Sequence, residues 1–532
     1  MCGSQRPVSC IGCPHGHSRR GFLKGCGAAA AAGLLSPIAG RAAESKEKKE
    51  PKEAKEEKGE KVRVALVFFS NSAEREIWPY PGFDCEGRHR EIVKLLKDGC
   101  PNVEFVPVVV AKPEDVKKAI ALGDLVDGYL VYTVTLNWNL TGCLIEIAKT
   151  AKPMLVADEF LGGSGMFLVG LSSLRRQGMF AAAVSTTRPS DLVAVARLFA
   201  GVKMPGMTAA LFARQCEEAY RRTFAPAGEM KCLVDNVPLA NVDECVKQLK
   251  RARFLIVGAG PSGTEYDFLG VKGILVSFED FKALYDKVDR DQAAECGRRW
   301  SKEAEKVVEP TPEWINKAGG VYLAMLALLK KYDTDSITMN CLGGFAGGQL
   351  PAYPCLGFMQ ILNDGGQGVC EAMPDDSVSM LMGRILTGRA GYVSDPALDT
   401  STNHIVYAHC MALTKVFGPQ GPACKFRIRT LHNRDPRGCC AQSFLPEGYL
   451  TTSFRTNVLQ KKMVIHQAKA VGNLDADRGC RTQLVGQVRG DIGKLFNQWD
   501  LFGWHRVTIY GDIAEPVVEF GKALGLEIVR ET

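Results

Sequence analysis

A chain of 532 residues with 46% hydrophobic and 23% charged content is too long for one core and too apolar to stay unfolded, so roughly two to four packed domains are expected. Its formal charge of +7 is unevenly spread: residues 1–43 hold five Lys/Arg and no Asp or Glu, leaving +2 for the rest. A nearly neutral body excludes the basic face that nucleic-acid binding requires.

Taken in chain order, the first element is a leader. Ser18-Arg19-Arg20-Gly21-Phe22-Leu23-Lys24 is basic, an Ala-rich apolar run covers about 25–39, and Gly40, Ala42 and Ala43 close it with small residues. That layout predicts a twin-arginine export signal over 1–43, hence partnership with the twin-arginine machinery and a periplasmic or otherwise exported location. The apolar run falls short of the ~20 residues that span a bilayer. Cleavage is expected near Ala42 or Ala43, and an uncleaved leader would leave a membrane tether. Cys10-x-x-Cys13-x-His15-x-His17 has metal-like spacing but lies inside this leader. Residues 44–61 are a Lys/Glu run with too few apolar side chains to build a core, which reads as a linker.

Alternation of strand and helix then begins. Val62–Phe69, Val103–Val110, Gly128–Val134 and Pro153–Ala157 read as strands, with helices over Arg88–Leu96, Pro113–Leu122 and Leu140–Ala151 between them. This pattern predicts a parallel sheet in a first Rossmann-like α/β domain, 62–204. It restarts with strands Phe254–Val257, Gly273–Ser277 and Ser336–Asn340 and helices Ala293–Val308 and Trp314–Lys331, giving a second Rossmann-like domain, 205–390. From 391 to 532 short β-like runs dominate (Asn403–Ala408, Lys425–Leu431, Tyr449–Arg455, Lys462–Ala468), so a β-rich C-terminal domain is expected. Fifteen cysteines lie outside the leader. An odd number in a long chain suggests buried thiols rather than a disulfide framework.

Two motifs carry chemistry. Gly258-Ala259-Gly260-Pro261-Ser262-Gly263 follows a strand, with Glu279 near the end of the next one, as in a dinucleotide site. Only about nine residues separate Gly263 from that next strand, however, so a helix facing a pyrophosphate is hard to place and a Gly-rich turn is the simpler reading. The second constellation is more dispersed. Asn363 and Asp364 open a Gly-rich stretch that ends at Glu371, Asp395 precedes Pro396 at the end of a strand, and His505 opens the last strand. Two carboxylates and an imidazole suit a divalent cation with open positions, Mn²⁺ or Mg²⁺ rather than structural Zn²⁺. On residue types alone Asp395 reads equally as a cap and His505 as a core histidine.

The stretches Tyr322–Tyr332, Ser336–Cys341, Pro354-Cys355, Leu362–Gly365, Cys370-Glu371, Leu386–Gly388, Ser394–Pro396, His409-Cys410, Trp504–Arg506 and Tyr510–Asp512 together resemble the L-fucose isomerase and L-arabinose isomerase superfamily. The resemblance implies two Rossmann-like domains and a β-rich third, a homo-oligomer, and interconversion of an aldose and a ketose through an enediol with a divalent metal, commonly Mn²⁺. It places the metal ligands at Glu371, Asp395 and His505, with Glu371 and Asp395 moving the proton between C1 and C2. Asn363, Asp364 and His409 are candidates for the pocket or its second layer. The chain departs from the family where Cys370-Glu371-Ala372-Met373 stands in place of Cys-Glu-Gly-Asp, and an exported sugar isomerase is itself unusual. Two other readings stand beside it: a nicotinamide-dependent sugar oxidoreductase using Gly258–Gly263, and a non-catalytic sugar-binding protein on the same scaffold.

Overall fold

A computed structural model describes residues 61–71, 79–432 and 434–532. The leader, its Cys/His run and the linker up to residue 60 lie outside the described residues. Lys61–Thr532 forms one compact unit. No helix among the described residues is long and apolar enough to cross a membrane.

The first sheet is parallel and starts with β1 (Val62–Phe69), whose run of Val, Ala, Leu and Phe is buried almost throughout. β2 (Val103–Val110), β3 (Gly128–Thr133), β4 (Met154–Asp158) and β5 (Ala182–Val184) complete it in the order β2-β1-β3-β4-β5. The helix Ala209–Arg221 belongs with this sheet, because Tyr220 Oη accepts from the Ser185 amide at 2.8 Å just after β5. The break expected at 204 therefore falls inside the packed layer.

The second sheet holds β6 (Arg253–Val257), β7 (Glu265–Phe268) and β8 (Val271–Val276). After the two-residue β9 (Lys306–Val307) come β10 (Ser336–Met339) and β11 (Gln367–Cys370), and the order is β11-β10-β6-β8-β7. Apart from β7, an antiparallel edge strand on β8, its strands are parallel. Counting only parallel strands, both sheets follow the doubly wound order 2-1-3-4, a likeness the sequence does not display as a repeat. Gly258–Gly263 forms the turn into β7 and no helix begins within it. Gly258 has φ +78° and a Cβ there would overlap the Phe278 ring, so the glycine serves a tight turn. The structure thus lacks the helix N-terminus that a dinucleotide site needs.

The third part is a closed barrel. β12 (Tyr392–Asp399) and β13 (His404–His409) lead, in chain order, to β14 (Phe426–Arg429) and β15 (Cys440–Ser443), which form a side sheet with β9. β16 (Leu450–Asn457), β17 (Lys462–Asn473), β18 (Thr482–Val488), β19 (Arg506–Tyr510) and β20 (Glu527–Arg530) follow. The ring runs β16-β19-β12-β13-β18-β17 and closes through β16–β17. β17 pairs with β16 along one edge, and with β20 and then β18 along the other. Closure removes the exposed edges that an open sheet would present.

The helix Pro374–Thr387 joins the second sheet to the barrel. Pro374 starts it, Asp375 and Asp376 occupy its first turn, and Gly388 ends it at φ +67°, as helix termini prefer.

Candidate metal centre

Glu371 is the first residue beyond β11, at the C-terminal end of a parallel strand, where such sheets present functional groups. The backbone turns sharply there: Glu371 has φ +66° and Ala372 +51°. Two left-handed non-glycine residues cost about 1–2 kcal/mol each. The turn persists because it is pinned, by the Ala372 amide to Met339 O at 2.9 Å and the Met373 amide to Thr338 Oγ1 at 3.2 Å. Strain of this kind gathers at functional sites.

Asp395 and His505 come from the barrel. β12 and β19 are antiparallel with Ser394 opposite Arg506, which makes Asp395 and His505 lateral neighbours. His505 Nε2 lies 2.8 Å from Asp395 Oδ1 and 3.6 Å from Glu371 Oε2. His409, the last residue of β13, brings its Nε2 to 3.9 Å from Asp395 Oδ2. The structure thus gathers Glu371, Asp395, His505 and His409 at one point.

The two histidines differ in which nitrogen carries the proton, as assigned from their partners. His505 Nδ1 faces Asp376 Oδ2 at 3.1 Å, and a carboxylate only accepts, so this nitrogen holds the hydrogen and Nε2 is left with a lone pair. His409 Nδ1 accepts from the Cys410 amide at 3.0 Å, so its hydrogen is on Nε2. His505 is thereby prepared as a ligand and His409 as a donor. In the first case a metal-ligating imidazole is oriented by a carboxylate behind it. Asp376 is in turn gripped by Arg455 Nε at 2.6 Å. Burial alone would raise the Asp376 pKa, but Arg455 and His505 more than offset it and hold it down at about 2.

Asp395 Oδ1, His505 Nε2 and His409 Nε2 are buried without a hydrogen-bond partner. The 2.8 Å between His505 Nε2 and Asp395 Oδ1 requires positive charge between them, either a proton on Nε2 or a bound cation. The electrostatics agree. Burial would lower the His505 pKa, yet Asp376, Asp395 and Glu371 together raise it well above the ordinary imidazole range. Burial, the largest influence, raises Glu371, with Asp395 adding to it and His505 partly opposing. A cation in place of that proton fits the residues: Glu371, His409 and His505 offer ligand atoms within 4.8 Å of one another, and Glu371, Asp395 and His505 would hold the ion. Glu371, with a side chain about 31% exposed, gives the site its face to solvent.

Two expected pocket residues lie elsewhere. The Asn363 amide is spent on Thr414 and Lys415, donating to Thr414 Oγ1 at 2.9 Å and accepting from the Thr414 and Lys415 backbone amides. Asp364 is exposed and accepts from Gln360 Nε2 at 2.8 Å. Their turn shapes the scaffold and does not line the pocket. Asp376 was the residue that sequence reasoning passed over. Its signal was a carboxylate in the first turn of a helix only five residues after Glu371. Trp138 meets Trp504, which borders this site, edge-on at 5.3 Å.

The cavity directly over Asp395 is small, about 20 Å³, and is bounded by Leu161, Gly165, Cys480 and Trp504. Beyond Leu161 lies a cleft of about 410 Å³ at the C-terminal ends of β3, β4 and β5, lined by Tyr132, Asp158, Glu159 and Arg478. Glu159 there accepts from Arg88 Nε at 2.7 Å and Tyr132 Oη at 2.9 Å, and pairs with Arg478. No family model matches the chain, and no curated protein matches it.

Proposed function

We propose that this protein is an exported, metal-dependent ketol isomerase acting on a sugar or sugar-like polyol. The observation that carries the reading is the convergence of Glu371, Asp395 and His505, with the His505 tautomer set for ligation by Asp376. Bound there, a divalent ion supplies Lewis-acid polarisation to the adjacent carbonyl and hydroxyl oxygens of an α-hydroxy carbonyl substrate. Two carboxylates with one imidazole suit Mn²⁺, with Mg²⁺ as the second choice.

Glu371 is the side chain with access from solvent, and burial raises its pKa toward the range where a carboxyl both takes and returns a proton. It is the group we assign to abstracting the proton at C2 and delivering it to C1, with Asp395 assisting on the opposite oxygen. His409 Nε2–H, buried and without an acceptor, is placed to donate to a substrate hydroxyl or carbonyl. The two parallel sheets, sharing the 2-1-3-4 strand order, support the reading of both as Rossmann-like halves of the isomerase architecture. The twin-arginine leader fits a protein that takes its metal in the cytoplasm and crosses folded.

The test is direct. Protein loaded with Mn²⁺ is incubated with a panel of aldoses, and ketose is measured. Turnover of at least one sugar is expected, and Glu371→Gln should lose about 100-fold or more of it. Metal-replete protein that is inert on every aldose would sink the isomerase reading and leave the sugar-binding one.

A further inference from the structure

A second set of donors lies beside the first, and the proposed reaction makes no use of it. Among the described residues, Cys410, His432 and Cys480 each offer one ligand atom, all within 4.8 Å of one another. Cys410 directly follows β13 and Cys480 lies two residues before β18. These strands are antiparallel with His409 opposite Thr482, which brings the two thiols to the same rim of the barrel. His432 comes from the loop after β14. Buried Arg481 anchors that loop, donating from Nε to Thr430 O at 2.9 Å and from Nη2 to Leu431 O at 3.2 Å. Cys440, the first residue of β15, has its thiol within hydrogen-bonding reach of Cys410. Cys355, Cys410, Cys440 and Cys480 sit together in a small apolar cluster, apart from the main core, with Phe345, Tyr353 and Leu431. Dispersion alone gives no reason to bring thiols and an imidazole together at such spacing.

We propose that Cys410, Cys480 and His432 form a second metal site for a thiophilic cation of the zinc type, with Cys440 offering the fourth ligand. The donor chemistry selects against the ion of the first centre. Thiolate and imidazole favour Zn²⁺, whereas carboxylate oxygens favour Mn²⁺ or Mg²⁺. A tetrahedral ion with those ligands holds donors roughly 3.4–3.8 Å apart, so modest side-chain rotation closes the cluster. Three or four protein ligands from β13, β18 and the β14–β15 loop make the ion a staple across the rim. The staple bears on the first centre, because Cys480 Sγ lies 3.6 Å from Asp395 Oδ2. The molecule thus carries a hard and a soft site side by side.

Cobalt reports on this without any assay of turnover. The full-length protein, stripped of metal and titrated with Co²⁺, is expected to show thiolate-to-cobalt charge-transfer absorption in the near ultraviolet with intense tetrahedral d–d bands, and one equivalent of Zn²⁺ should abolish both. Cys410→Ser and Cys480→Ser should lose the charge-transfer band, while His505→Asn, in the other centre, keeps it. Should the cysteine variants fail to fold, His432→Ala, on a loop, is expected to weaken Zn²⁺ binding by about 100-fold, at least as much as losing a partner behind a ligand does. Cobalt bound without a sulfur signature, or a Cys410–Cys480 disulfide in the isolated protein, overturns the proposal.

Discussion

Asp376 determines what His505 can do without itself being a ligand. Its carboxylate holds the Nδ1 hydrogen, Arg455 holds the carboxylate, and the lone pair on Nε2 is the result. Asp376→Asn can present an amide hydrogen to Nδ1, which would reverse the tautomer and block Nε2. Mn²⁺ affinity should fall 10- to 100-fold, measured by competition with a fluorescent chelator. An unchanged affinity would remove the tautomer argument. At this scale the sequence marked Glu371 and Asp395 by local signals, a preceding Gly-rich stretch and a following proline, although Asp395 lies within β12 and not at the strand end expected for it. It was uninformative about Asn363, whose amide is consumed by a contact with 414–415 that no local pattern announces.

At the scale of elements, β4 ends in a carboxyl that is out of place at neutral pH. Asp158 is buried, and accepts from Ser164 Oγ at 2.5 Å. Burial raises its pKa to about 7 despite that hydrogen bond. A carboxyl raised on folding stabilises the protein fully below its unfolded value near 3.9, and that contribution is lost as pH rises through 7. The difference is roughly 4 kcal/mol between pH 4 and pH 8. Asp158→Asn, which is neutral throughout, should be similar to wild type in denaturant unfolding at pH 4 and more stable at pH 8. Identical pH slopes for the two proteins would show that Asp158 is ionised at no cost. Most elements were legible from periodicity: β1 and β2 appear with the expected limits because their apolar runs end abruptly. The helix Ala209–Arg221 was placed with the wrong sheet, since only the Tyr220–Ser185 contact decides which layer it joins. β7 and β20, short and half-exposed, have no strong pattern of their own.

For the whole molecule, thiol chemistry is the sharpest test. Of the fifteen described cysteines, Cys232, Cys296 and Cys424 are partly exposed and the others buried. Native protein treated with a thiol reagent should therefore react quickly at those three alone, with the remaining twelve labelling only on unfolding. Fast reaction of a larger number would mean that the barrel rim opens in solution.

The sequence by itself determined the alternation that makes two largely parallel sheets, the change to β-rich texture near 391 and the odd cysteine number. These are consequences of spacing along the chain, which local periodicity and turn chemistry record. Only the tertiary structure decided that the β-rich part closes into a barrel, that His409 Nδ1 accepts from the Cys410 amide while His505 Nδ1 faces Asp376, and that Cys410, His432 and Cys480 meet. Each of those depends on strand register between segments far apart in the chain, as with Ser394 against Arg506 and His409 against Thr482. Register is set by the packing of the whole core.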